Sequence, residues 1–127
     1  MQPTTEHAHP LQGLRLLVAD DEFLIAASIE EAFHDAGADV IVAGTLKTAL
    51  KIATEEPLSA ALLDVHLGRQ TTETVADVLA NRAVPFLFYS GQALPENIRA
   101  KHPNVQVLTK PSRQDVFVEA MLQTMGR

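Results

Sequence analysis

Six side chains carry most of the chemistry open to this sequence: Asp20, Asp21 and Glu22 in a row, then Asp64, Ser90 and Lys110. Two unit negative charges about 4 Å apart repel by roughly 4 kcal/mol at an effective dielectric near 20. If Asp20, Asp21 and Asp64 meet in one pocket, they either retain protons at raised pKa or are neutralised by a cation. Hard oxygen donors without a thiol favour magnesium, with manganese as the alternative ion. Magnesium keeps several waters and accepts one or two carboxylates plus a phosphate oxygen. A carboxylate beside such an ion can attack phosphorus to form an acyl phosphate. A lysine then offers a point charge to the phosphoryl oxygens, and a serine hydroxyl donates to another. The set is competent for phosphoryl transfer to an aspartate, provided the fold brings its members together.

The hydrophobic pattern says which elements must do so. Leu14 to Ala19 is an almost unbroken apolar run that stops at Asp20, as expected of a strand buried on both faces. Ile25, Ile29, Phe33 and Ala36 recur at helical spacing, and Gly37 closes that helix. Val40 to Ala43 reads as a second strand. Leu46, Ala49, Leu50 and Ala53 mark a second helix, with Thr45 as N-cap and Pro57 beyond its end. A third strand, Ala60 to Leu63, ends in Asp64 and is followed by a helix over Glu73 to Asn81. Val84 to Tyr89 is a fourth strand ending at Ser90-Gly91. Pro95 and Pro103 leave only a short fourth helix, around Asn97 to Lys101. Val105 to Leu108 is a fifth strand before Lys110-Pro111. Ser112, with Asp115 three residues on, is expected to cap the last helix.

Strand and helix alternate along the whole chain. Short right-handed crossovers then give an α/β fold, a doubly wound five-stranded parallel sheet flanked by helices. In such sheets sites form outside the carboxyl ends of the strands, and it is there that the acids, the serine and the lysine fall. The organisation expected is a flexible tail over 1–12 and one domain over 13–127.

Composition narrows the function classes. The chain has 127 residues, 46% apolar and 20% charged, which suits one globular domain. A net charge of −6 argues against nucleic acid as partner. Zero cysteines exclude disulfides and thiolate metal sites. The start lacks the basic and apolar regions of a signal peptide, and no run suits a membrane span, so a cytoplasmic location is expected. His7 and His9 read as part of the tail rather than as a metal site. Ser90 does not sit in a G-x-S-x-G hydrolase motif, because Phe88 stands at the first glycine.

Asp20-Asp21, Asp64, Ser90 and Lys110-Pro111, in order at the ends of strands one, three, four and five, resemble the phosphoacceptor constellation of two-component response regulator receiver (CheY-like) domains. The likeness runs from Leu14 to about Met125 and implies a flavodoxin-like fold. It implies Asp64 as the phosphoacceptor. Asp20, Asp21, Asp64 and the backbone carbonyl of His66 would be the metal ligands. Ser90 and Lys110 would contact the phosphoryl group, while His66 and Gln92 would tune its lifetime. The expected role is a stand-alone response regulator, not an enzyme in the turnover sense. It would take phosphate from a histidine kinase or phosphotransfer protein and signal through contact with a downstream protein. It would be a monomer, or a dimer through the face of the fourth helix, fifth strand and fifth helix. The alternative is a docking module of the same fold that acts without phosphorylation. A haloacid-dehalogenase-type phosphatase is disfavoured, since it needs a second aspartate where His66 stands.

Two departures from the receiver pattern matter. Val107 replaces the aromatic residue usual three positions before the lysine, so switching is expected through Ser90 and the segment after it. Phe88-Tyr89-Ser90-Gly91 is similar to the Phe-Ala-Thr-Gly of one subgroup of stand-alone receivers, but Tyr89 and Ser90 differ from it. The short fourth-helix region is expected to be movable and to form part of the partner surface.

Overall fold

In the computed structural model, which describes residues 9–127, five parallel strands form one sheet between two layers of helices. The strands are β1 (Arg15–Ala19), β2 (Asp39–Ala43), β3 (Ala60–Asp64), β6 (Phe86–Ser90) and β7 (Val107–Thr109). Between β3 and β6 lies a small antiparallel hairpin, β4 (His66–Leu67) with β5 (Gln70–Thr71). The helices are α1 (Phe23–Asp35), α2 (Leu46–Glu55), α3 (Glu73–Asn81), α4 (Glu96–Lys101) and α5 (Gln114–Thr124). Sheet order is β2-β1-β3-β6-β7, so the winding reverses between β1 and β3. The expected doubly wound fold is the one found, and its switch point lies between the two strands that end in aspartate.

The core divides by strand period. Leu17, Ala19, Ala61, Leu63, Phe86 and Phe88 face α2 and α3, where Ala49, Ala53, Val75 and Leu79 are buried; Ile98 of α4 joins them. Their neighbours Leu16, Val18, Ala60, Leu62, Leu87 and Tyr89 face α1 and α5, against Ile29, Phe33, Phe117 and Met121. Alternate residues of one strand thus feed opposite cores. This is why the central strands read as continuous apolar runs.

Several local expectations are corrected. β7 starts at Val107, not Val105, because the Val105 N–H turns back to the His102 carbonyl (3.3 Å). Ser112 does not cap the last helix. That helix begins at Gln114, and the Ser112 hydroxyl donates to the Thr109 carbonyl (2.7 Å). The β4–β5 hairpin was not expected. Residues 1–8, including His7, lie outside the described part, and His9 is exposed. Leu11, assigned to the tail, is instead fully buried and donates its N–H to the Ala36 carbonyl (2.8 Å). Thr45 does cap α2, accepting from the Thr48 N–H (3.2 Å). Among the described residues no helix is long and apolar enough to cross a membrane.

Gly37 ends α1 with φ +102°, its N–H bonded to the His34 carbonyl and that of Ala38 to Phe33. A Cβ there would stand 2.9–3.1 Å from atoms of Gln12, including backbone. Gly37→Ala is therefore expected to lower the unfolding free energy by about 2 kcal/mol, from φ strain and displacement of the Leu11-Gln12 segment. A urea midpoint equal to that of the wild type would reject this.

Candidate functional site

Parallel register assembles the rim. Ala19 pairs with Leu63, so the next residues, Asp20 and Asp64, emerge side by side at the ends of β1 and β3. Asp64 pairs with Tyr89, which puts Ser90 one step further out on β6. Ser90 pairs with Thr109, and the Lys110 N–H donates to the Ser90 carbonyl (2.9 Å). Asp21 and Glu22 follow Asp20 into the N-terminus of α1, where the positive end of the helix dipole favours acidic groups. A cleft of about 450 Å³ opens between these ends. It is lined by Asp21, Glu22, Asp64, Ser90 and Lys110, together with His66, Gly68 and Gln92.

Asp64 is 6% exposed, and its Oδ2 accepts from Lys110 Nζ at 2.9 Å. Its Oδ1 accepts from the His66 N–H at 3.4 Å. Lys110 Nζ also lies 3.5 Å from Glu22 Oε1 and 3.9 Å from Asp20 Oδ2. Burial alone would pull its pKa down. The hydrogen bond that Lys110 donates to Asp64 and the charges of Asp20, Asp64 and Glu22 outweigh that and raise it, so Lys110 stays cationic.

Asp20 is 2% exposed, and its Oδ1 accepts from the Glu22 N–H (2.9 Å), while Oδ2 is buried without a hydrogen-bond donor. Its pKa rises to about 6. Burial is the main cause, the Glu22 bond opposes it, and the Asp64 charge adds to it.

Carboxylate oxygens of Asp20, Asp21, Glu22 and Asp64 come within 4.8 Å of one another. An orphaned buried oxygen among four acids, all hard donors, fits a divalent cation. The acidic residues and Lys110 are thus brought together as the sequence implies. Ser90 lines the same cleft, but its hydroxyl donates to the Gln92 carbonyl (2.7 Å) and accepts from the Gln92 N–H (3.1 Å). That hydroxyl is engaged in its own turn rather than with Asp64.

Three supports were missed from sequence. The fully buried Thr72 donates its hydroxyl to the Asp64 carbonyl (2.8 Å), fixing the end of β3. The Gly68 N–H, in the hairpin turn, donates to Asp21 Oδ2 (2.8 Å) and so ties the hairpin to the rim. Tyr89, on the face of β6 that packs against α1 and α5, lies against Lys110, with Nζ 5.1 Å from the ring centroid. The Leu67-Gly68 step and the Thr71-Thr72-Glu73 helix start were the available signals for the first two. Nothing local signals the third.

No family model and no curated protein matches the chain. Solved structures do. A CheY-like response regulator receiver domain protein from Methanospirillum hungatei shares 20% identity at TM-score 0.79, covering 89% of this chain and 94% of its own. A response regulator receiver protein from Sinorhizobium medicae shares 22% identity at TM-score 0.78, over 91% and 97% of the two chains. The HemR receiver domain from Leptospira biflexa shares 19% identity at TM-score 0.77, over 90% and 95%. The fold is that of CheY-like receiver domains.

Proposed function

We propose that this chain is a response regulator receiver in which Asp64 accepts a phosphoryl group from the phosphohistidine of a kinase or phosphotransfer protein. The observation that carries the reading is the pairing of Asp64 with Lys110 at 2.9 Å, beside an acidic cluster whose buried Asp20 oxygen has no donor. Phosphoryl transfer needs a nucleophilic carboxylate, a cation for the transferred oxygens and a seat for a divalent ion, and all three adjoin here.

In the transfer, an Asp64 carboxylate oxygen forms a bond to phosphorus while the bond from phosphorus to the donor imidazole nitrogen breaks. The electron pair leaves with the ring, and an acyl phosphate remains on Asp64. Asp20, Asp21, Asp64 and the His66 carbonyl would hold magnesium, which neutralises phosphoryl charge when bound. Lys110 exchanges its bond to Asp64 Oδ2 for one to a phosphoryl oxygen. Ser90 reaches another oxygen by turning its hydroxyl away from the Gln92 carbonyl. The product carries a charge near −2, which draws on Ser90 and Lys110 and so on the ends of β6 and β7. His66 and Gln92, which also line the cleft, would tune the lifetime of the phosphoryl group by limiting the approach of hydrolytic water. Output passes to a downstream protein by contact.

The test is intact mass after incubation with acetyl phosphate and magnesium. Wild type gains one phosphoryl group and Asp64→Asn gains none. No adduct on wild type, or an equal adduct on both, overturns the reading. Two observations favour docking without phosphorylation as the second reading. The Ser90 hydroxyl is engaged with Gln92, and the residue on β7 is the exposed Val107. Partner affinity indifferent to beryllofluoride and to Asp64→Asn would select it.

A further inference from the structure

Tyr89 touches both ends of the tripeptide that carries the rim lysine. Its side chain is on the face of β6 opposite Phe88, 3% exposed, with its ring edge-on to Phe117 at 5.1 Å between centroids. The Lys110 ammonium lies 5.1 Å from the ring centroid, within cation–π range. Beyond the intervening proline, the Ser112 N–H donates to the Tyr89 hydroxyl at 3.1 Å. A gap of about 240 Å³ adjoins the ring, between Leu24 and Ile25 of α1 and Pro111 of the loop. Packing from α1 therefore leaves open space beside that part of the loop, and Tyr89 supplies two of its ties.

Lys110 has four flexible side-chain bonds, and three carboxylates within 3.9 Å compete for its ammonium. The Tyr89 ring, 5.1 Å from the ammonium, limits that freedom.

We propose that Tyr89 is a positioning residue for Lys110. Its ring face holds the ammonium over Asp64, and its hydroxyl fixes the Lys110–Ser112 loop that delivers it. This rests on the phosphoryl-transfer reading of the site and adds to it a residue from the face of β6 that packs against α1 and α5. The same contact makes Tyr89 an optical reporter, since the chain contains one tyrosine and no tryptophan.

The test has two arms. In the kinetic arm, Tyr89→Leu lowers the rate of phosphorylation by acetyl phosphate roughly three- to tenfold, the size expected for loss of a partly desolvated cation–π contact. Magnesium affinity is not reduced. Tyr89→Phe, which retains the ring, restores the rate to within about twofold, while amide exchange at Ser112 quickens for want of its acceptor. In the spectroscopic arm, which needs no phosphodonor, Lys110→Met changes the tyrosine emission of the folded protein. A wild-type rate in Tyr89→Leu, a parallel loss of magnesium binding, or emission indifferent to Lys110→Met overturns the proposal. If wild type takes no phosphoryl group, the phosphoryl-transfer reading fails, and the emission arm still decides whether Tyr89 contacts Lys110.

Discussion

Asp20→Asn is expected to raise the unfolding free energy of the metal-free protein by about 2–3 kcal/mol at neutral pH, while removing its response to magnesium. The gain follows from linkage. The Asp20 pKa is raised from the ordinary 3.8 to about 6 in the folded chain, chiefly because it is buried, with the Glu22 N–H opposing and Asp64 adding to the rise. The folded state thus holds this proton more tightly than the unfolded state does. Between about pH 4 and pH 6 the folded chain binds more protons, so the Asp20 contribution to stability falls as pH rises. Below that window the penalty is absent, and above it the full cost remains. Asparagine keeps an oxygen for the Glu22 N–H and removes the charge from the position of the orphaned Oδ2.

Urea titrations in chelator should therefore separate the two proteins near neutrality and bring them together at about pH 4. Added magnesium should narrow the neutral gap by stabilising wild type alone. A variant less stable than wild type at neutral pH would show that the cluster is not under electrostatic strain.

The same strain explains why the rim was legible. A parallel strand buried on both faces reads as an apolar run, and a carboxylate that closes such a run marks the carboxyl end of the strand, where sites form. Asp20 and Asp64 mark those ends without ambiguity, and Lys110 stands just beyond Thr109. What escaped the sequence depends on partners distant along the chain. The two-residue strands at His66 and Gln70 are too short to carry a period. Ser112 and Asp115 match a capping pattern, yet the Ser112 N–H is taken by a tyrosine 23 positions earlier, and the helix starts later. Leu11 follows a proline in a polar stretch, and only the Schellman turn at Gly37 exposes the carbonyl that receives it. The Ser90 residue could be placed from sequence, but the direction of its hydroxyl could not. That direction is set by Gln92 in a turn with no apolar pattern.

Lys110→Ala is expected to move two properties of the site in opposite directions. Phosphorylation by acetyl phosphate should slow by on the order of 10²-fold, the scale for losing one preorganised group at a developing oxyanion. Magnesium should bind more tightly, by roughly tenfold, because the ammonium that shared the carboxylates with it is gone. The geometry requires both. Lys110 lies within 3.9 Å of Asp20, Glu22 and Asp64, three of the four acids in the cluster. Its charge therefore offsets theirs before any ion binds and repels an ion that does. It also donates to Asp64 Oδ2 at 2.9 Å, which puts its charge beside the carboxylate proposed to accept phosphate. Magnesium titration and phosphorylation rates on the same preparation measure the two effects. If affinity and rate fall together, the lysine is holding the rim in shape. If the rate alone is unchanged, the phosphoryl oxygens find their charge elsewhere, and Lys110 is only a counterion to the acidic cluster.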